Sequence, residues 1–537
     1  MLSIIRPKAV VYLWLGAIFV LGVAGCHSPE YYKSEADEEV YSIIDNKWQE
    51  GYGEKTNYKI GDVEPGPNDV QLEEIIPDPN VLSLADAVAI ATSNNREYKT
   101  EKEQLYLTAL DLTLKRHNFA RQWFGTFDSQ YARGAEDEEI SYEADTGFSQ
   151  LLADGAAVSV NIGLDWARFL TGSPGTSLTS VLSGTITQPL LRGAGRRIVQ
   201  EELTQAEREA LYRIRSFNRF RKGFVVSIVS AYYRVLQQRD KVTNAENNYR
   251  RRVLSRERLE MEAEAGRVPQ FEVDQAHQSE LDAESGLVSA QQTYEQRLDE
   301  FKIKLALPTD AKIELDQNEL NLLREAGIVE PNYMVEDAIA AALSHRLDLV
   351  NSRDKVDDAV RKIAVAEDNL RAELNLVGST SVNSRGKTDF GTLRFQEGSY
   401  TLGIESDLPF DRKSERNAYR RSLITLIQQQ RDYEEDMDGV RLDVRQAYRE
   451  LEAAAQQYII RKNSLELAET RVESTSMLLQ AGRLTTRDLL ESQDSLIEAQ
   501  NSLTEALVSH LTAKLTFFKD IGILQVRPDG MWEQSVQ

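Results

Sequence analysis

The sequence predicts a mainly α-helical chain with transmembrane β-strands, made of two copies of one unit of helix, strands and long antiparallel helical hairpin. Three observations carry that class. Helical patterns without proline run for about seventy residues over 196–265 and again over 412–480. Between helices lie segments with an apolar residue at every second position. Finally, Ala231-Tyr232 recurs as Ala447-Tyr448 and Ala265-Gly266-Arg267 as Ala481-Gly482-Arg483, both at an offset of 216 residues without a gap. A period that long is an internal duplication, far beyond a solenoid repeat.

Composition sets the outer bounds. The 537 residues are 28% charged, with a formal charge of −23 and a pI near 4.9. An acidic surface repels phosphate backbones, so nucleic acid is excluded as a partner. The five histidines are scattered without ligand spacing, and no HExxH, serine or cysteine nucleophile motif stands out, which points away from catalysis, metals and cofactors.

The N-terminus carries Arg6 and Lys8, then an uncharged run from Ala9 to Gly25 ending on small residues before Cys26, the sole cysteine. This predicts a signal peptide over 1–25. Val23-Ala24-Gly25-Cys26 resembles the bacterial lipobox, which would make Cys26 a lipidated first residue; the alternative is a secreted protein whose cysteine is incidental. Without a second cysteine no intrachain disulfide is possible, so packing and partner subunits must hold the mature chain. No other long apolar run follows, so any membrane crossing must be made by β-strands closed into a barrel, since lipid satisfies no open backbone group.

Residues 26–81 are acidic and turn-rich and read as an extended leader. Ser83 can cap a helix running to about residue 119. The period then changes: Phe127, Ser129 and Tyr131 alternate with their neighbours, Val158, Val160, Ile162, Leu164 and Trp166 alternate over VSVNIGLDW, and a third stretch ends at Pro189. This is the pattern of membrane strands over 123–189, or of a soluble β-insert. A helical hairpin follows over 196–305, turning at Ala265-Gly266-Arg267-Val268-Pro269, where glycine supplies a left-handed cap and proline stops the helix. After a linker over 307–331, Val335-Glu336-Asp337-Ala338-Ile339-Ala340 echoes Leu84-Ala85-Asp86-Ala87-Val88-Ala89. The second unit (332–524) repeats the plan with strands over 374–408 and a hairpin over 412–519; 525–537 is a tail.

Leu489, Leu496 and Leu503 lie seven apart beside the row Gln493, Gln500 and Leu507, a heptad pattern that packs helices side by side. The strands of each unit must enter and leave the sheet on one side, so crossings come in even numbers. Two per unit give four strands per chain, too few to close a membrane barrel alone. Several subunits are then required. The three stretches of the first unit fit two crossings only if 145–168 is an outer hairpin or part of a longer bent strand.

From Leu82 to Gly530 these features resemble the TolC-like outer-membrane factor (outer membrane efflux protein) family. The points of resemblance are Gln188-Pro189-Leu190-Leu191, the Ala-Tyr pairs, both Ala-Gly-Arg tips and the close Phe518-Lys519-Asp520-Ile521-Gly522-Ile523-Leu524. The resemblance implies a homotrimer whose twelve-stranded outer-membrane barrel continues as a twelve-helix α-helical barrel across the periplasm. It further implies an exit duct for a periplasmic adaptor (membrane fusion) protein and an inner-membrane pump, in efflux or type I secretion. By position, the adaptor contacts would be Ala265, Gly266, Arg267, Val268 and Ala481, Gly482, Arg483, Leu484, and the acidic ring of the periplasmic gate Asp488 and Glu491. The family's latching tyrosine and arginine positions hold Leu479 and Leu484. Arg267 and Arg483 could instead serve helix C-termini, and Asp488 and Glu491 a helix N-terminus. A periplasmic coiled-coil scaffold or adaptor lipoprotein is the rival function; it leaves the alternating segments unexplained.

Overall fold

The computed structural model describes residues 27–49, 52, 55, 57–61, 81–133, 138–169, 176–328, 334–384, 393–527 and 532–534. Cys26 and the signal segment lie outside the described residues. The chain forms two compact units. One takes in the chain up to Trp48, Leu105–Leu211 and Ala364–Tyr419; the other takes in Gln49–Gln104, Tyr212–Ile363 and the chain from Arg420 onward.

The first unit opens with helix α1, Pro29–Lys47. The leader expected to be extended is therefore helical over these residues. Ser28 accepts from the Tyr31 amide, Pro29 sits in the first turn where its missing N–H costs nothing, and Val40, Ile43 and Ile44 share one buried face. The Tyr106 hydroxyl donates to Asp37 at 2.7 Å and Lys47 pairs with Glu207.

The rest of this unit is dominated by a six-stranded antiparallel meander: β2 (Gln122–Arg133), β3 (Glu138–Leu151), β4 (Ala157–Phe169), β5 (Thr176–Pro189), β7 (Glu373–Asn383) and β8 (Ser399–Asp407), in that order. Here the structure corrects the expected four strands per chain. The first repeat supplies four strands, because the polar stretch Glu138–Leu151 is a full strand paired with β2 and β4. Gly147 permits the close β3–β4 approach; a Cβ there would lie 2.3 Å from the Val160 carbonyl oxygen. The inner turn between β3 and β4 is fixed: Leu152 N–H donates to Ala156 O at 2.8 Å, Gly195 N–H to Asp154 O at 3.0 Å, and Gly155 has φ +100°. The two repeats meet where Gly193 N–H donates to the buried Asp368 carboxylate at 2.7 Å and Leu190 N–H to Leu374 O at 2.7 Å.

The second unit is helical. The expected helix from Ser83 to 119 is two helices, α2 (Leu84–Asn94) and α3 (Arg96–His117). Ser83 and Asp86 form a capping box on α2, and Asn95 breaks the run by capping Tyr98 N–H at 3.1 Å while its amide donates to Lys304 O at 2.8 Å. Helix α4 (Glu201–Glu264) pairs with α5 (Gln270–Lys304) as the first hairpin. Within the expected linker, β6 (Glu314–Leu315) pairs in parallel with β1 (Val81–Leu82), and α6 (Asn318–Ala326) follows. Helices α7 (Val335–His345) and α8 (Leu347–Asp368) repeat the α2–α3 break, and α9 (Lys413–Gln480) with α10 (Thr486–Asp520) form the second hairpin.

Aromatic packing centres on Tyr98, whose ring lies 5.1 to 5.9 Å from Phe217, Phe220 and Phe224. Tyr232, from the duplicated Ala-Tyr pair, is buried against Phe301 and donates to Leu82 O at 2.9 Å; its counterpart Tyr448 packs on Phe517. Both tyrosines are thus interhelical packing groups. The leucine row 489, 496 and 503 is only half-buried in the single chain, while Leu490, Gln493 and Leu507 beside it are buried.

Candidate functional site

Two regions carry the functional geometry, one in each unit. In the second unit the two hairpin tips have the same build. At the first, Gly266 N–H donates to Ala263 O at 2.9 Å and Arg267 N–H to Glu262 O at 2.8 Å; at the second, Gly482 N–H donates to Leu479 O and Arg483 N–H to Leu478 O, both at 2.9 Å. The glycine φ values are 69° and 68°. Each pair satisfies the last helical carbonyls through a left-handed residue. A Cβ at either glycine would meet nothing within 4 Å, so backbone strain alone calls for glycine. Ala265, Gly266 and Arg267 are exposed, as are Ala481, Gly482 and Arg483; Val268 and Leu484 are half-buried. Val268 packs on the cluster Leu259, Val273 and Ala276.

The returning helices start differently. Pro269 precedes α5 without a side-chain cap, whereas Thr485 and Asp488 form a capping box on α10. The Asp488 carboxylate accepts from the Thr485 hydroxyl at 2.6 Å and amide at 2.9 Å. Those bonds hold its pKa below the ordinary aspartate value. Glu491 is exposed and stands 3.4 Å from an Arg471 nitrogen on α9. The structure therefore places Asp488 at the end of its own helix and Glu491 toward the adjacent helix of its hairpin. The first turns of α5 and α10 are joined by a 2.8 Å hydrogen bond from Thr486 to Glu272.

Sequence reasoning missed Arg252 on α4. It is 1% exposed, donates to Leu490 O on α10 at 3.0 Å and pairs with Asp494, while its Nε and Nη1 find no partner. Burial lowers its pKa, and Asp494 opposes that shift. At the 216-residue offset the second repeat has Ala468, so this clasp exists at one of two equivalent positions. The duplication itself was the available signal: a long cation where its copy has a methyl group.

In the first unit the strand register sorts the sheet into two faces. On one lie Trp123, Phe127, Tyr131, Tyr142, Phe148, Val160, Ile162, Leu182, Leu376, Leu402 and Ile404; on the other lie mainly Ser, Thr, Asn and Gly together with Asp128, Glu139, Glu143, Asp145, Asp165, Glu373, Glu405 and Asp407. Among the described residues the polar face carries no lysine or arginine. The apolar face is open: Trp123 is 71% and Leu402 77% exposed. An open apolar face around a polar, acidic one is the arrangement of a membrane barrel wall. Among the described residues no helix is long and apolar enough to cross a membrane, and no group of three or more His, Cys, Asp or Glu residues could hold a metal.

Comparison with known proteins places this geometry. The model of the outer membrane efflux protein family matches residues 338–522, from α7 through the second strand pair and hairpin to the close of α10. Over those residues the chain is similar to outer membrane efflux proteins. The fold extends the likeness over the first repeat as well. The outer membrane channel CmeC of Campylobacter jejuni superposes with a TM-score of 0.59 at 14% identity, covering 91% of this chain and 93% of that one. The open state of the MtrE outer membrane channel of Neisseria gonorrhoeae gives 0.58 at 13% identity, covering 82% and 88%. The outer membrane protein VceC of Vibrio cholerae gives 0.57 at 13%, covering 82% and 96%. No curated protein matches the sequence. The helical hairpins and the sheet of this chain share the fold of these channels.

Proposed function

We propose that this chain is a lipid-anchored, trimeric outer-membrane efflux duct that passively conducts cargo delivered by an inner-membrane pump through a periplasmic adaptor. The observation that supports this most is the meander with one continuous apolar face and one acidic face, ending in two unpaired edges. In a bilayer an open edge leaves backbone groups without partners, so the sheet must close with further copies. Energy then comes from the partner pump, since a passive duct needs only a path.

In this reading Cys26 carries the lipid and Ala265, Gly266, Arg267 and Val268 with Ala481, Gly482, Arg483 and Leu484 meet the adaptor. Their shared left-handed geometry would present two like tips per chain to a repeating partner. Glu491 contributes the acidic gate, and Asp488 serves chiefly as the cap that positions its helix. The Arg252 clasp on α10 holds the closed state where the family's latch residues are replaced by Leu479 and Leu484.

Fractionation tests the proposal. Wild-type protein should stay in outer membranes through carbonate and urea washes and label with palmitate, and Cys26→Ser should lose the label but keep the barrel in the membrane. Release of wild-type protein by carbonate would refute the duct and bring back the scaffold.

A further inference from the structure

The count of strands departs from the twelve that the resemblance implied, and the departure has a definite size. The sheet segment of the first repeat spans 122–189 and that of the second 373–407, a difference of thirty-three residues. Strands β3 and β4 with their inner turn, residues 138–169, account for thirty-two of them. The surplus is thus one complete hairpin placed between an outward strand, β2, and an inward one, β5.

That hairpin is part of the wall. It lies in the middle of the sheet, with β3 bonded to β2 and β4 bonded to β5 in unbroken register. Its Ile140, Tyr142, Phe148, Val160 and Ile162 continue the apolar face, and its Glu139, Glu143, Asp145 and Asp165 the polar one. A Cβ on Gly155 in its turn would lie 2.7 Å from the Gly193 carbonyl oxygen beyond β5, so the turn is fitted to the segment that leaves the sheet. The free edges are instead β2 and β8, both exposed along nearly their whole length. Because six is even, β8 and the β2 of another copy run antiparallel, and Trp123, Tyr131, Leu402 and Ile404 at the two edges all fall on the apolar face.

We infer that β8 of each copy pairs with β2 of the next and that three copies close an eighteen-stranded barrel. With strands about 4.8 Å apart and tilted by about 40°, eighteen strands enclose a ring about 36 Å across, against about 24 Å for twelve. The cross-section is roughly doubled. The inference rests on the trimeric exit-duct reading.

Single-particle imaging of the full-length protein, extracted from outer membranes into nanodiscs, tests it. The expected result is a three-fold particle whose membrane section shows eighteen strands in a ring about 36 Å across. A three-fold particle with twelve wall strands, or with a foreign chain on the β2 or β8 edge, would overturn the inference and leave the duct standing. A particle without three-fold symmetry would refute the duct reading itself. Deletion of 138–169 should give a three-fold particle about 24 Å across; a ring of unchanged width would overturn the inference.

Discussion

The Arg252–Asp494 pair supplies the sharpest test of how α4 and α10 are held together, and its two members should behave oppositely. Asp494 is 68% exposed, so it was never fully desolvated, whereas Arg252 is buried with two nitrogens already unpartnered. Asp494→Ala leaves that cation with the Leu490 carbonyl alone. Breaking a fully buried pair costs about 3–5 kcal/mol, and the exposure of Asp494 reduces this to roughly 1–2 kcal/mol. Arg252→Met keeps most of the volume and removes the buried charge, so its cost should be near zero. Hydrogen exchange over the first turns of α10 reads the difference locally: roughly 5- to 30-fold faster exchange in Asp494→Ala. The double variant should return to within about threefold of wild type, since no buried charge remains to be stranded. Unchanged exchange in Asp494→Ala, or a double variant as fast as that single one, would refute this reasoning.

Other outcomes follow from the same geometry. Gly482→Val places a β-branched residue at φ 68° and should cost at least about 1 kcal/mol, seen as faster exchange of residues 477–484; equal exchange would mean the tip rearranges freely. Gly155→Ala should lower the yield of assembled protein in outer membranes, because its Cβ meets backbone at 2.7 Å; a normal yield would show that the inner turn shifts. The Asp488 carboxyl, held below its usual pKa by Thr485, stabilises the α10 terminus at neutral pH and loses that contribution as pH falls through its folded value. Carboxyl NMR should find its midpoint below that of a free aspartate, and Thr485→Val should raise it; no change would detach the cap from the shift. Replacing Glu143, Asp145 and Asp165 with their amides should weaken cation preference, measured as a smaller reversal potential in a salt gradient, and an unchanged potential would remove the acidic face from selectivity.

Much of this architecture was legible because it is local or repeated. Glycines at 266 and 482 announce left-handed caps, and the run without proline from 412 to 480 is helix α9 almost to the residue. The added hairpin was harder to read. Ile140, Tyr142, Ala144, Thr146 and Phe148 do alternate outward along β3, but small residues and four acids between 138 and 145 dilute the signal. The break at Asn95 lacks glycine or proline, and only its capping oxygen marks it. Arg252 could not be placed at all, since its partners Leu490 and Asp494 lie more than two hundred residues away. Asp488 shows a different limit: the acidic pattern that suggested a gate also spells Thr-x-x-Asp, and the structure places the carboxylate in the cap.

The central claim, a passive conduit through the outer membrane, is tested most directly by conductance. Protein purified from outer membranes and added to planar bilayers should produce discrete, ohmic, cation-preferring steps that grow in Asp494→Ala, where the α10 clasp is loosened. Bilayers that stay silent with wild-type protein and with that variant, at concentrations where insertion is verified, would contradict the account.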